Sequence, residues 1–454
     1  MQERNLDLFE NAPVPQAVIK NALPAIVSML VVLVYNIADT FFVGQTGDPL
    51  KVAAVSIATP VFLLFMATGN LFGIGGTSVI SRALGEGRRD FARRVSAFCF
   101  WAAIATGVVF MVCFGLFMDP VLRLIGASAD TAQYAKEYLG WVALGAPFVI
   151  IATAFSNIVR AEGRPTEAMI GNMIGTITNI VLDPIMILWM GMGVSGAAIA
   201  TVIGNIAGTV YYLWLFLRGG SMLSISPRDF GVRGIWGGVV AIGGPASFNN
   251  VLMSSSNILL NNFLAGYGDL QVAAMGVAMK ANMIVVMLLI GLGAGIQPLL
   301  GYQFGARNFP RAKAIMRFTL GCAVGMGLVL TAVCWFGAGS IVRAFLDDPE
   351  VQEYGVTFVK ALMVSGPVIG ILFVLINALQ AMGAAVSSLI LSISRQGLIF
   401  MPMLFLLNRL FGLRGIVYAQ PVADFLSIIT ASLLYTAAVR RRIARDRAAG
   451  KGNA

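Results

Sequence analysis

Histidine is missing from this chain altogether, and charge is scarce: only 11% of its 454 residues are Asp, Glu, Lys or Arg. The first absence removes the commonest general base and the commonest metal ligand. With no clustered nucleophile and base elsewhere, an enzyme is not expected. The second absence argues against a soluble domain, where about a quarter of residues are charged. Cysteine is also sparse. Cys99, Cys113, Cys322 and Cys334 lie in apolar segments without metal spacing and read as small buried residues. No Walker A motif is present, so ATP is not the direct energy source, and no cofactor is expected. The polar N-terminal stretch MQERNLDLFENAPVPQ contains acids and lacks a signal-peptide pattern.

What is abundant is apolar: 58% of residues are hydrophobic, and mean hydropathy is +0.84. That composition predicts an all-α, multi-pass membrane protein. Apolar runs separated by short polar breaks give twelve candidate transmembrane helices, near 17–43, 51–79, 95–118, 134–158, 167–190, 195–217, 236–262, 272–299, 315–338, 354–379, 387–407 and 415–438. The net charge of +10 is concentrated in alternate breaks. Arg82, Arg88, Arg89, Arg93, Arg94, Arg160, Arg164, Arg218, Arg228, Arg233, Arg307, Arg311 and Lys313 fall on one side, with the tail Arg440, Arg441, Arg442, Arg445, Arg447 and Lys451. The other side carries Asp48, Asp119, Asp130, Asp269, Asp347, Asp348 and Glu350, with Arg409 and Arg414 against the trend. The basic side is expected to be cytoplasmic and to hold both termini. The charge thus serves orientation, and no nucleic-acid partner is expected.

The chain also repeats itself at an offset of 220. Gly73 and Gly75 match Gly293 and Gly295, Gly85 matches Gly305, and Arg93 matches Lys313. Tyr134 matches Tyr354, Pro147 matches Pro367, Asn157 matches Asn377 and Gly163 matches Gly383. After a one-residue shift, Gly193 and Gly196 match Gly412 and Gly415. A repeat of six spans keeps both copies in one orientation. It predicts two six-helix lobes, 1–217 and 236–454, related by a pseudo-two-fold axis along the membrane normal and joined by a linker at 218–235. A substrate site is expected between them, as in transporters.

Polar residues inside the spans are the candidate machinery. The first span carries Asn36 and Asp39 three residues apart, on one face. A carboxylate there costs at least about 2.5–3.5 kcal/mol and normally marks an ion, proton or substrate path. Pro24 invites a bend in the same helix. The fifth span aligns Asn172, Thr176, Asn179 and Asp183 in one stripe, followed by Pro184, which frees the carbonyl of Ile180. The sixth adds Thr201 and Asn205, four apart. Such an all-oxygen set suits a hard cation or a shared proton, and the residues alone do not choose between them. Helix–helix hydrogen bonding is the competing role, strongest for Asn172 and Asn205 and weakest for the two acids.

NIADTFFVGQTGD followed by VAAVSIATP resembles the first two helices of the multidrug and toxic compound extrusion (MATE) family, within its wider flippase superfamily. SRALGEGRRDFARR and its echo GYQFGARNFPRAKAIMR are similar to the loops after the second and eighth helices of that family. RAEGRP and NIVLDPIMI are similar to its other signatures. The likeness extends from about residue 12 to 438. It implies that Asp39, Asn179, Asp183 and Thr201 form the cation-coupling site of the branch that couples through its N-terminal lobe. They would be metal ligands if the ion is sodium. Another branch places a coupling Glu in the seventh helix, where this chain has Asn249 and Asn250 and no acid.

Of the remaining span charges, Lys280 is expected either to snorkel outward or to line a cavity. Asp424 stands at the repeat position of Asn205, as a partner of Lys280 or as part of the C-terminal lobe lining. Arg395 is expected to snorkel. The resemblance implies a secondary active multidrug exporter of amphipathic organic cations, drugs or toxic metabolites. It would be a sodium or proton antiporter in the bacterial inner membrane, monomeric, with small-molecule organic substrates and membrane lipid as its partners. The alternative is a lipid-linked-oligosaccharide flippase of the same superfamily, for which a strongly cationic central cavity would be expected.

Overall fold

A computed structural model describes residues 2–46, 48–345 and 348–451, and every regular element among them is helical. Asp347 and the side chains of Arg445, Arg447 and Lys451 lie outside the described residues. Ten helices, from Val14–Gly44 to Leu413–Ala444, are long and apolar enough to cross a membrane. An eleventh crossing is a helix pair, Asp130–Leu144 and Ala146–Ala161, bent by 56°. Pro147, in the first turn of its second piece, has no N–H to return to the turn before. The twelfth, Trp236–Ala265, has the required length but is diluted by Asn249, Asn250, Ser254, Ser255, Ser256 and Asn257. These are the twelve spans the sequence predicts.

The chain divides into two compact units. One comprises Met1–Ala12 and Val27–Ser247, the other Pro13–Ile26 and Phe248–Ala454. The first and seventh helices are continuous across the division and change unit two residues after Pro24 and Pro245 respectively. Glycines make this possible. In the first unit, Gly75 and Gly243 bring the second span against the start of the seventh helix at Val239 and Leu71, too close for any side chain. In the second unit, a methyl added at Gly291 would lie 2.8 Å from the Cα of Ile26, and one at Gly295 would lie 2.5 Å from that of Ala22. The linker 218–235 is part of the first unit.

Equivalent contacts recur inside the two units. A methyl at Gly73 would meet Asn157 Nδ2 at 2.9 Å, and one at Gly293 would meet Asn377 Nδ2 at 2.6 Å. Each asparagine donates to its own helix, Asn157 to the Thr153 carbonyl at 3.0 Å and Asn377 to that of Phe373 at 2.9 Å. Gly107 abuts Pro147 as Gly327 abuts Pro367. The repeat read as spacing is therefore a repeat of packing.

The linker is strapped down rather than loose. Glu162, fully buried at the end of the fourth span, accepts from the backbone N–H of Met222 and hydrogen-bonds the Ser221 hydroxyl at 2.8 Å. Trp101 Nε1 donates to the Ile225 carbonyl at 3.1 Å, Arg93 pairs with Asp229 at 3.3 Å, and Phe98 stacks on Phe230. Burial pushes the Glu162 carboxyl up to about 7, aided by Glu167 and opposed by the Met222 N–H, the Ser221 hydroxyl and Arg164. A carboxyl raised in the folded state keeps its proton where the unfolded chain has already lost it, near pH 4.3. Its stabilisation is therefore complete below that pH and lost as pH rises through about 7. Glu162→Gln keeps an acceptor for Met222 and offers Ser221 a donor. Its melting temperature should gain on the wild type between pH 5 and pH 8, and a constant difference across that range would show that Glu162 does not titrate there.

Candidate functional site

The first unit gathers the predicted polar residues from the first, fifth and sixth spans. The fifth is an α-helix over Pro165–Asp183 that continues as a π-helical stretch, Pro184–Trp189. Pro184 cannot donate back into the preceding turn, and the widened winding begins there. Asn179 and Asp183, four apart on one face, are both buried. Asn179 Nδ2 donates to Thr201 Oγ1 at 3.1 Å, which turns its carbonyl oxygen the other way. Thr201 Oγ1 also lies 3.4 Å from the hydroxyl of Tyr35, one helical turn before Asp39. Asp39 and Asp183 are close enough to interact electrostatically. Tyr138, from the bent fourth span, is within range of both.

The pattern of satisfaction is informative. Asp39 Oδ1, Asn179 Oδ1 and both carboxylate oxygens of Asp183 are buried and receive no hydrogen bond among the described residues. Buried polar atoms are normally paired, and an unpaired carboxylate is the costliest exception. Every unsatisfied atom here is an oxygen acceptor. No group of three or more His, Cys, Asp or Glu suited to a metal occurs among the described residues, so any ion held here would rely on amide and hydroxyl oxygens alongside two carboxylates.

The other candidates separate from this cluster. Asn172 accepts from the Tyr212 hydroxyl at 3.3 Å, a helix–helix contact. Asn205 donates to the Thr201 carbonyl of its own helix at 2.8 Å. Thr176 is half-buried and Asn36 exposed. Tyr35 and Tyr138 were not singled out in the sequence. Tyr35 had a signal, its i, i+4 spacing to Asp39, whereas nothing in the sequence of the fourth span points to Tyr138.

The second unit holds a different arrangement. Asp424 is buried and accepts from Ser365 Oγ at 3.0 Å and Gln420 Nε2 at 2.9 Å. Its charge partner is Arg395, at 3.4 Å. Arg395 sits in a π-helical stretch of the eleventh span, Ser394–Phe400, and covers the ring of Phe373 at 5.2 Å. Of the two roles expected for Asp424, the pairing with Lys280 is therefore replaced by one with Arg395, which does not snorkel. Lys280 is exposed and lies over Phe345, 5.3 Å from the ring centre. Ser394, Arg395, Gln396 and Phe400 of the π-stretch are buried, and an outward route for Arg395 would leave Asp424 uncompensated.

The MatE family model matches twice, over residues 24–185 and 245–406, together more than half of the chain. The chain belongs to the MatE family. The two matches begin and end 221 residues apart (24 to 245, 185 to 406), close to the offset visible in the sequence. The multidrug export protein MepA of Staphylococcus aureus (strain MSSA476) is 31% identical over 436 residues, covering 96% of each chain. MepA of Staphylococcus haemolyticus (strain JCSC1435) is 31% identical over 449 residues, 99% of each. A crystal structure of a MATE protein in complex with MaL6 superposes with a TM-score of 0.91 at 24% identity, over 98% of this chain and 99% of that one. The MatE chain is thus an integral membrane transporter with the two-lobe, twelve-helix fold, and not an enzyme.

Proposed function

We propose that this MatE protein exports amphipathic organic cations, drugs or toxic metabolites, driven by inward flow of sodium or protons through Asp39, Asn179, Asp183 and Thr201. The observation that carries this reading is the set of buried oxygens without donors on Asp39, Asn179 and Asp183. A proton or a hard cation satisfies such a set, and its departure leaves the two acids to repel each other. The ion is a transported substrate, not a resident cofactor. Loading and unloading would change the charge among the first, fifth and sixth spans, and the six-span repeat supports exchange between inward- and outward-open states. On this reading both termini are cytoplasmic and the protein works as a monomer in the bacterial cytoplasmic membrane. The multidrug export proteins among its relatives support the substrate class.

The test is transport of a fluorescent organic cation such as ethidium by the purified protein in proteoliposomes. Sodium and proton gradients are imposed separately at equal membrane potential. One of them should accelerate uptake at least about tenfold, equivalent to about 1.4 kcal/mol. Equal rates with both, with either and with neither would overturn gradient coupling.

A further inference from the structure

The third span and the linker form the walls of an open cleft of about 380 Å³, lined by Trp101, Ala102, Ala105, Pro227 and Phe230. Its walls have almost nothing polar to offer. The indole N–H of Trp101 is spent on the Ile225 carbonyl, Pro227 has no N–H, and the Phe230 N–H is spent on the Pro227 carbonyl at 3.2 Å. Such a cleft suits a hydrocarbon chain. Around it, Phe230, Val232 and Trp236 are 46%, 48% and 52% exposed. An apolar cluster of that kind on a membrane protein belongs in the bilayer interface, where Trp is at home.

Charge identifies the occupant further. Asp229, the only acid of the linker, is engaged by Arg93. Arg228 lies in the short turn Pro227–Asp229, between two lining residues. Arg94 precedes Phe98, Trp101 and Ala105 at spacings of four, seven and eleven, which puts it on the cleft face of the third span, towards its start. Arg94 and Arg228 are exposed and have no acidic partner among the described residues. We propose that this cleft binds an anionic phospholipid of the linker-side leaflet, one acyl chain against Trp101 and Phe230 and the phosphate between Arg94 and Arg228. The four anchors of the linker, at Glu162, Trp101, Arg93 and Phe98, hold the cleft open for it.

Native mass spectrometry of the delipidated full chain in detergent tests this, with phosphatidylglycerol and phosphatidylcholine of identical acyl chains as probes. The first phosphatidylglycerol should bind at least about tenfold more tightly than phosphatidylcholine. Arg94→Gln and Arg228→Gln should each weaken phosphatidylglycerol about fivefold and leave phosphatidylcholine unchanged. Ala105→Trp, which fills the cleft from an exposed position, should weaken both. Equal affinity for the two lipids would overturn the proposal. So would a phosphatidylglycerol preference that survives both the paired arginine changes and Ala105→Trp, or a dimer of the wild type that phosphatidylglycerol fails to dissociate and Ala105→Trp abolishes.

Discussion

Replacing Asp183 with Asn should abolish gradient-driven export and, at the same time, make the protein harder to melt. Asp183 is fully buried, and neither of its oxygens receives a hydrogen bond among the described residues. A carboxylate in that position carries a desolvation cost of several kcal/mol unless an ion or proton offsets it. The Asn side chain has the same shape, no charge, and an amide N–H₂ on the carboxylate's face. Asn179 Oδ1 and Asp39 Oδ1 are the unsatisfied acceptors of the same cluster, and one new hydrogen bond is worth about 0.5–1.5 kcal/mol. Without sodium at pH 8, the variant should therefore melt above the wild type. Its export, at matched expression, should fall at least about tenfold, or about 1.4 kcal/mol, because no charge follows the gradient. Asp39→Asn should also stop export, with a smaller thermal gain, since Asp39 is less deeply buried. A variant that transports normally removes Asp183 from the coupling site. One that is inactive but melts lower than the wild type makes the carboxylate a structural group instead. The pairing of lost activity with gained stability is the signature of a site that stores unsatisfied polarity for a purpose.

Much of this was legible in the sequence because it is carried by spacing. Twelve spans follow from the lengths of apolar runs, the internal repeat from a period of 220 residues and the stripe from Asn172 to Asp183 from one of 3.6, and the matched glycines reappear as matched close contacts. The seventh span was legible as an apolar run, although its asparagines and serines dilute it below the apolarity of the others. What was hidden depends on three-dimensional partners. Pro24 marks a place for a bend in Val14–Gly44, but it does not announce that the helix changes unit after Ile26, since the partners of its first part are glycines far away at Gly291 and Gly295. Tyr138 lies within electrostatic range of Asp39 and Asp183 from the first piece of the bent fourth span, a partnership between distant helices that no spacing along its own helix reveals. The linker read as a basic connector. Its attachment depends on Glu162 and Trp101, more than 50 residues away in sequence. Arg395 was misread because a charge near a span end can turn outward at little cost, and only the buried Asp424 makes the inward route the better one.

That pair gives the second large effect. Arg395→Gln should destabilise the protein by about 3–5 kcal/mol, the cost of leaving one member of a buried ion pair uncompensated. Ser365 and Gln420 would still donate to Asp424, but neither carries charge. Asp424→Asn should be comparably costly from the other side, since Arg395 is buried and its Nε already lacks a partner among the described residues. Together, Arg395→Gln and Asp424→Asn should recover most of the loss, because two neutral amides can bond each other and the remaining donors. The magnitude separates two accounts. Ordinary interhelical hydrogen bonds in membranes average about 0.6 kcal/mol and reach about 1.7, so single losses within that range would mean that the contact is a simple polar bridge. Losses above it, with a coupling energy in the double-mutant cycle larger than about 0.5–3 kcal/mol, the range usual for residues in contact, mark a charge pair whose members must be kept or removed together. Arg395→Lys supplies the control. It keeps the charge but loses the planar face over Phe373, and should fall between wild type and Arg395→Gln. Melting of the four purified variants, with equal detergent and pH, decides the matter. Additive single effects would show that Asp424 is held by Ser365 and Gln420 alone.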